Sequence, residues 1–286
     1  MTAQPIDGTA LATKIYKKLG DEVKTLLQVG VQPCLATVLV GDDPASRHYV
    51  HKKQEACKLL RIEVLDFQLN SNISQDELVS VIEELNGNEK VNSILVQLPL
   101  PNHIDETVLH SISPDKDVDG LHPLNLGLLL QGKERFVPCT PKGIIRLVKS
   151  TGILIESKHV VVLGRSNIVG KPTAILFLRE NATVTICHSK TPNLALFTTQ
   201  ADILVVAIGK PRFVGGSMVK ERAVVVDVGI TKSGGKFVGD INFESVSKVA
   251  RLITPVPGGV GPMTVAMLME NTVLAAQMQF KNKDGS

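Results

Sequence analysis

The 286-residue sequence has no tryptophan, 2 tyrosines and 8 phenylalanines, so aromatic residues make up only 3% of the chain. Single-stranded nucleic acid is bound largely by stacking bases on aromatic faces, and that class of function is not expected here. An excess of one charge is also missing: 31 Lys and Arg stand against 28 Asp and Glu, a formal net charge of +3. That is too little to drive binding to a phosphate backbone by counterion release. The 4 cysteines, Cys34, Cys57, Cys139 and Cys187, are scattered with no CxxC pair. They are expected to be reduced, buried thiols, with neither disulfide nor metal role. No apolar run reaches about 18 residues, and Met1 to Pro5 show no basic-then-apolar leader. A cytoplasmic protein without a membrane partner is therefore expected. No internal repeat is visible.

What the chain has instead is core. Hydrophobic residues make up 43%, mean hydropathy is +0.15, and the length suits about two domains. Short β-branched runs predict strands at Cys34–Val40, Val64–Leu69 and Ser93–Leu98, then at His159–Leu163, Thr183–Cys187, Ile203–Ala207 and Ala223–Val228. Continuous apolar runs of this kind belong to parallel strands covered on both faces. Helical patterns at Gly8–Val29, Pro44–Leu60, Gln75–Glu84, Lys142–Ser150, Pro172–Arg179 and Gly261–Lys281 alternate with them. The expected fold class is α/β: two α/β domains with a cleft between them, the C-terminal one a Rossmann-like dinucleotide-binding domain. The chain crosses between them near Pro138–Pro141.

The strand His159–Leu163 runs through Gly164-Arg165-Ser166-Asn167-Ile168-Val169-Gly170-Lys171-Pro172 into a helix. A doubly wound domain places a dinucleotide pyrophosphate at such a turn, on the free N–H groups of the helix start. Only Gly164 falls on the GxGxxG pattern; Ser166 and Val169 occupy the other two positions. NAD sites usually carry an acidic residue at the end of the next strand. Here that strand ends Cys187-His188-Ser189-Lys190. A hydroxyl and a cation there, with Arg165 in the turn, suit a 2′-phosphate and favour NADP over NAD. Ordinary solvated surface charges would leave the same trace.

In the first half, Asp43 is a natural N-cap and Pro44 a natural first helical residue. The helix then carries Tyr49 and Lys53, four apart and on one face. A lysine partly buried near a sheet edge has its ammonium destabilised, which frees a neutral amine for proton transfer. A surface Tyr/Lys pair would show the same spacing. Gln97 closes a strand, and Asp117 and Asp119 lie in the turn-rich Pro-Asp-Lys-Asp-Val-Asp-Gly segment. An amide and a carboxylate at such places belong to the rim of an open α/β sheet, though Asp119 before Gly120 is also a turn-former. His48 and His51 have no third ligand, so no metal is expected. Residues Pro255–Pro262 hold three glycines and three prolines, a shaped backbone that lets a flat ligand approach main-chain groups. A linker is the alternative.

Taken together these motifs resemble the bifunctional methylenetetrahydrofolate dehydrogenase/methenyltetrahydrofolate cyclohydrolase family, the FolD type, over essentially the whole chain. The resemblance is carried by Ile6-Asp7-Gly8, Tyr49-x-x-x-Lys53, Ile94-Leu95-Val96-Gln97-Leu98-Pro99-Leu100 and Lys116-Asp117-Val118-Asp119-Gly120. It continues in Pro138-Cys139-Thr140-Pro141, the Gly164 turn and Pro257-Gly258-Gly259-Val260-Gly261-Pro262-Met263-Thr264. Thr9, where the family often has Lys, and Ser93, where it often has Gly, are departures outside the expected chemistry. The resemblance implies NADP-dependent oxidation of 5,10-methylenetetrahydrofolate to the methenyl form, then hydrolysis to 10-formyltetrahydrofolate, feeding purine and amino-acid biosynthesis. It implies Lys53 as the proton-transfer residue, Gln97 as its positioning partner, Tyr49 stacking on the folate and Asp119 bonding the pterin. Gly164, Arg165, Ser166, Ser189, Ile230 and Thr140 would lie on the cofactor side, and Pro257, Gly258, Gly259 and Thr264 would line the substrate site. It further implies a homodimer joined through the dinucleotide domains, and a last helix that returns to the first domain. Residues 1–140 plus 264–286 would form the folate domain and 141–263 the NADP domain. A dehydrogenase with little cyclohydrolase activity would share most of these motifs. A non-catalytic NADP-binding regulator would have lost Lys53 or Asp119, and both are present.

Overall fold

The computed structural model describes residues 2–284; for Ala45, His48, Ser233 and residues 282–284 it describes the backbone alone. In chain order the elements are β1 (Gln4–Pro5), α1 (Gly8–Gln28), β2 (Cys34–Val40), α2 (Pro44–Leu60), β3 (Glu63–Leu69), α3 (Gln75–Gly87), β4 (Ser93–Val96) and α4 (Pro123–Leu130). There follow α5 (Cys139–Ser150), β5 (His159–Leu163), α6 (Gly170–Arg179), β6 (Thr183–Cys187), α7 (Leu194–Thr198), β7 (Ile203–Val206) and β8 (Val224–Asp227). The chain ends with β9 (Thr231–Ser233), β10 (Lys236–Val238), α8 (Phe243–Val246), β11 (Leu252–Ile253) and α9 (Val260–Asp284). It divides into two compact units, Lys14–Cys139 with Val265–Ser286, and Met1–Thr13 with Thr140–Thr264.

The first of these is built on a three-stranded parallel sheet in the order β3-β2-β4. All seven residues of the central strand β2 are buried, as its unbroken apolar run predicts. The edge strand β3 instead mixes exposed Glu63 and Asp66 with half-buried Val64 and Leu65. Leu78, Ile82 and Leu85 of α3 pack with Val38, Ile94 and Val96 in one core, each such side chain contributing about 1.5–3 kcal/mol on full burial. The strand expected over Ser93–Leu98 ends at Val96, although Gln97 still donates its N–H to Val38 O at 2.8 Å. The Leu98–Pro99 peptide that follows is cis.

The other unit holds a six-stranded parallel sheet in the order β1-β11-β8-β7-β5-β6. Strands β5, β7 and β8 are almost wholly buried. The chain winds from β5 outward to β6 and then back across to β7, so the winding direction reverses between β5 and β7. Open α/β sheets bind ligands outside the carboxyl ends of two such strands. The first residues belong here, and this corrects the boundary expected from sequence, which placed 1–140 with the folate domain. Gln4 and Pro5 pair in parallel with Leu252 and Ile253, and the Ile6 N–H bonds Ile253 O at 2.8 Å. A two-residue edge strand ending in proline carries no alternation to read, and proline is tolerated at a sheet edge where its missing N–H costs nothing. The β9/β10 hairpin turns on Gly234 and Gly235, both with positive φ, as a two-residue primed turn requires.

The Ile6-Asp7-Gly8 motif has a packing cause. A Cβ at Gly8 would collide with the carbonyl of Gly259, and the Thr9 N–H donates to Gly258 O at 3.1 Å. The start of α1 thus pins the Pro255–Gly259 loop. Gly8→Ala is expected to destabilise the six-strand unit by about 1–3 kcal/mol through overpacking, read as a lower urea midpoint. An unchanged midpoint would show that the contact yields at no cost.

Candidate active site

In the three-strand unit the site begins with helix α2. Asp43 caps it, accepting the Ser46 N–H at 2.7 Å, and Pro44 opens its first turn, as the sequence suggested. The 3.6-residue period then aligns Tyr49, Lys53 and Cys57. Tyr49 is half-buried, whereas Lys53 is 8% exposed and Cys57 fully buried. The Lys53 Nζ donates to Gln97 Oε1 at 2.9 Å. Gln97 is oriented in turn, because its Nε2 donates to Leu98 O at 2.5 Å, which leaves the amide oxygen to face the lysine. Burial pushes the Lys53 amine below its ordinary value, while the Asp119 carboxylate, followed by the Cys139 and Cys57 thiols, pulls the other way. Burial likewise raises the Tyr49 phenol and pushes the Cys57 thiol up to about 12. Lys53, Gln97 and Asp119 are thus brought together electrostatically.

The segment that carries Asp119 is held from both sides. Lys116 Nζ donates to the carbonyls of Leu85, Asn86 and Asn88 at 3.1, 2.8 and 2.8 Å, closing the C-terminus of α3 where a cation is favoured. Asp117, 2% exposed, accepts from Leu121 N, His122 N and Asn125 Nδ2 at 3.2, 2.8 and 2.8 Å. Its role is structural. Val118 O takes the Asn271 amide at 2.7 Å and the Cys139 thiol at 3.3 Å, and Asn271 also reaches Val137 O at 3.1 Å. Sequence reasoning missed Asn271. Its signal was a lone amide in the apolar stretch Met263–Ala276 of α9, since a buried polar group needs a partner.

In the six-strand unit, a pocket of about 230 Å³ opens at the predicted reversal point. Its lining includes Leu163 at the end of β5 and Gly164 and Arg165 after it, then His188 and Ser189 after β6, and Ala207, Ile208, Lys210 and Phe213 after β7. A side chain at Gly164 would collide with Ala207 O, so only glycine lets these two strand ends approach. Among the described residues no carboxylate lines the pocket, whereas Arg165 and Lys210 do; that chemistry fits a dinucleotide with an extra phosphate. Lys210 also lies 5.6 Å from the Phe213 ring centroid. Lys210 and Phe213, after β7, were not predicted, nor was His188, which stands beside the expected Ser189 after β6.

Other expected site residues lie elsewhere. Ser166 is not in the pocket lining, and its Oγ accepts the N–H groups of Val169 and Gly170 at 3.1 and 3.3 Å. The Lys190 side chain is likewise outside the lining; its N–H donates to His188 Nδ1 at 3.1 Å. Ile230 is exposed after β8. Thr140 and Thr264 share a hydrogen bond of 2.9 Å between their hydroxyls. Pro257 follows a cis peptide and Gly258 has φ +106°, with the Gly259 N–H returning to Pro255 O at 2.9 Å. Among the described residues no three His, Cys, Asp or Glu side chains form a metal site, and the His48 side chain lies outside them. No described helix is long and apolar enough to cross a membrane.

Comparison with known proteins matches both halves of the chain. Residues 6–119 match the family model described as tetrahydrofolate dehydrogenase/cyclohydrolase, catalytic domain, and residues 138–280 match its NAD(P)-binding domain. The chain is 53% identical over 285 residues to the bifunctional protein FolD of Acetivibrio thermocellus, covering 99% of this chain and 100% of that one. The crystal structure of the bifunctional enzyme FolD from Campylobacter jejuni superposes with a TM-score of 0.94 at 50% identity, over 96% of this chain and 99% of that one. The Trypanosoma brucei enzyme, complexed with NADP cofactor and an inhibitor, gives a TM-score of 0.94 at 40% identity, over 98% and 99% of the two chains. With both halves matched and the Lys53 and Gly164 sites in place, the chain belongs to the tetrahydrofolate dehydrogenase/cyclohydrolase family.

Proposed function

We propose that the chain oxidises 5,10-methylenetetrahydrofolate to the 5,10-methenyl form with NADP+ and then hydrolyses that product to 10-formyltetrahydrofolate. The observation that carries this reading is the buried Lys53 amine hydrogen-bonded to Gln97 at 2.9 Å. Water adding to the cationic methenyl carbon loses a proton to the neutral Nζ of Lys53; as the adduct collapses, the N5–C bond breaks, N5 takes a proton back from Lys53, and the hydroxyl proton leaves to solvent, with the formyl group kept on N10. Gln97 holds the amine in place through its oxygen. Tyr49 supplies a ring face for the folate, and the Asp119 carboxylate accepts hydrogen bonds from the pterin. Thr264 and Pro257–Gly259, in the six-strand unit, are the further substrate-binding residues that the family resemblance implies. NADP+, when bound, supplies the hydride acceptor. Gly164, Arg165 and Ser189 hold its adenosine end, Arg165 and Ser189 at the 2′-phosphate, while Ile230 and Thr140 serve the nicotinamide end. Ser166 acts there by shaping the turn. The product feeds purine and amino-acid biosynthesis in the cytoplasm.

Replacing Lys53 by Met is expected to reduce cyclohydrolase activity by about 10²–10⁴-fold, the usual worth of a positioned proton-transfer group. The wild-type cyclohydrolase rate should rise with pH along a limb lying below the ordinary lysine pKa of about 10.4, because burial lowers the folded value. The sign for stability follows. Between the lowered folded pKa and the unfolded one, the unfolded state binds more protons, so stability rises with pH and burial of the cation costs stability below that window. Lys53→Met should therefore melt at the same temperature as wild type or higher at pH 7. A mutant with wild-type hydrolysis would sink the role.

Arg165→Ala is expected to lower kcat/KM for NADP+ by about 10–100-fold, the loss of one charged hydrogen-bonding group, with the NAD+ efficiency changed little. Equal losses with both cofactors would place Arg165 away from the 2′-phosphate.

A homodimer through the six-strand unit is part of the same proposal. Its support is β6, an edge strand flanked by apolar side chains left in solvent: Ile186 at 40% exposure, Leu178 and Leu196 at 61%, and Phe197 at 36%. Exposed edges of this kind are normally covered, and a two-fold axis would pair β6 with its copy. Sedimentation should find twice the 30.8 kDa chain mass for wild type and the single mass for Ile186→Lys. A monomeric wild type would refute the pairing.

A further inference from the structure

Two buried carboxylates at the carboxyl edge of the six-stranded sheet have no part in the pocket lining. Asp227, 2% exposed, ends β8, and Asp240, fully buried, follows β10. Asp227 accepts the N–H groups of Gly229, Asp240 and Ile241 at 3.1, 2.9 and 3.1 Å, and its own N–H is taken by Thr254 Oγ1 at 2.7 Å. Asp240 reaches across to the loop after β7, where its Oδ2 accepts the consecutive N–H groups of Ile208 and Gly209 at 2.7 and 2.9 Å. Gly209 has φ +65°, and the two consecutive N–H groups converge on one carboxylate oxygen as in an anion-binding nest. The same segment holds the next stretch by its carbonyls: Arg212 N bonds Gly239 O at 2.9 Å and Val214 N bonds Asp240 O at 3.0 Å. Ile208, Lys210 and Phe213, which form one wall of the pocket, are thereby suspended from Asp240.

The arrangement is costly in isolation. Burial pushes the Asp227 carboxyl up to about 7 and the Asp240 carboxyl upward as well, so each N–H it collects offsets desolvation. Neither group is needed to bury apolar surface. What the pair does is hold a loop whose residues line the pocket.

We propose that Asp240 is a positioning residue for the cofactor: its carboxylate holds the Ile208–Phe213 wall of the NADP pocket in its binding shape, and Asp227 holds Asp240. The proposal rests on the reading that this pocket takes NADP. Because hydrolysis of the methenyl compound uses Lys53 in the other unit and consumes no NADP+, the two activities separate a local role from general stability.

The test compares Asp240→Ala and Asp240→Asn with wild type, measuring KM for NADP+ in the dehydrogenase reaction and the hydrolysis rate of methenyltetrahydrofolate. Loss of two hydrogen bonds to a charged acceptor predicts a KM at least about tenfold higher for Asp240→Ala, with hydrolysis kept within about twofold of wild type. Asp240→Asn keeps an acceptor oxygen and is expected to recover a KM within about threefold of wild type. An unchanged KM in Asp240→Ala overturns the proposal. So does a parallel fall of both activities, or a failure of Asn to recover, since either makes the carboxylate a matter of folding alone. Should Asp240→Ala not fold, amide exchange in the wild-type protein decides. The Ile208 and Gly209 amides must be protected and become more so with NADP+; exchange at the rate of an open loop, or no effect of NADP+, overturns it. A wild-type enzyme active with NAD+ alone would remove the reading of the pocket itself, an outcome distinct from any behaviour of the variants.

Discussion

A lysine amine buried against a single amide oxygen is the constraint on which the three-strand unit is organised. Taking a cation out of water is unfavourable unless hydrogen bonds and an opposing charge compensate, and here the compensation is deliberately partial. Gln97 offers one neutral acceptor at 2.9 Å, and Asp119 acts through its charge. A closer carboxylate would fix the proton on the amine, and an apolar wall would remove it altogether. The Leu98 carbonyl sets which end of the Gln97 amide faces the lysine, so the orientation of one peptide after β4 reaches the Lys53 amine. The cap of α2 at Asp43 matters for the same reason, since it sets the register that places Lys53 on the inward face.

Buried aspartates do the supporting work in both units by one device. A carboxylate offers several acceptor positions, and Asp117, Asp227 and Asp240 each gather two or more N–H groups from loops that follow strands. Loops at the carboxyl edge of a parallel sheet cannot satisfy their N–H groups by strand pairing, and buried donors left unpaired are expensive. Burial raises all three carboxyls, which measures the desolvation cost that the collected N–H groups offset. In Lys116-Asp117-Val118-Asp119-Gly120 this separates two acids by chemistry: Asp117 is enclosed by donors, while half-buried Asp119 keeps its carboxylate for other partners.

The sheet strands and the long helices were legible because their signal is local and periodic: β2, β5 and β6 have the residues expected from their apolar runs, and α2 begins and ends where its cap and apolar pattern place it. The candidate residues Lys53 and Gln97 were legible only as a resemblance supported by one helical spacing; their contact joins positions 44 apart, a distance no local pattern encodes. What the sequence did not disclose was long-range or too short to pattern. Pairing of β1 with β11 spans nearly the whole chain, and Asn271 meets Val118 across 153 positions. The pocket wall after β7 was missed because Ile208, Lys210 and Phe213 have no motif of their own; the sheet order makes them neighbours of Gly164.

The departure of the phosphate turn from GxGxxG has a consequence for recognition. In the generic motif, glycine at the second position leaves the first N–H groups of the following helix to the pyrophosphate. Here Ser166 occupies that position and its hydroxyl accepts the Val169 and Gly170 N–H groups. Main-chain donors that would bind any dinucleotide alike are therefore partly satisfied from within. The cations that line this pocket are Arg165 and Lys210. Main-chain donors at a helix start read a pyrophosphate, which NAD and NADP share; a guanidinium fork beside a hydroxyl reads an additional terminal phosphate. On the proposed reading of this pocket as an NADP site, Ser166 would shift the free energy of binding away from the part the two cofactors share and toward the part that distinguishes them.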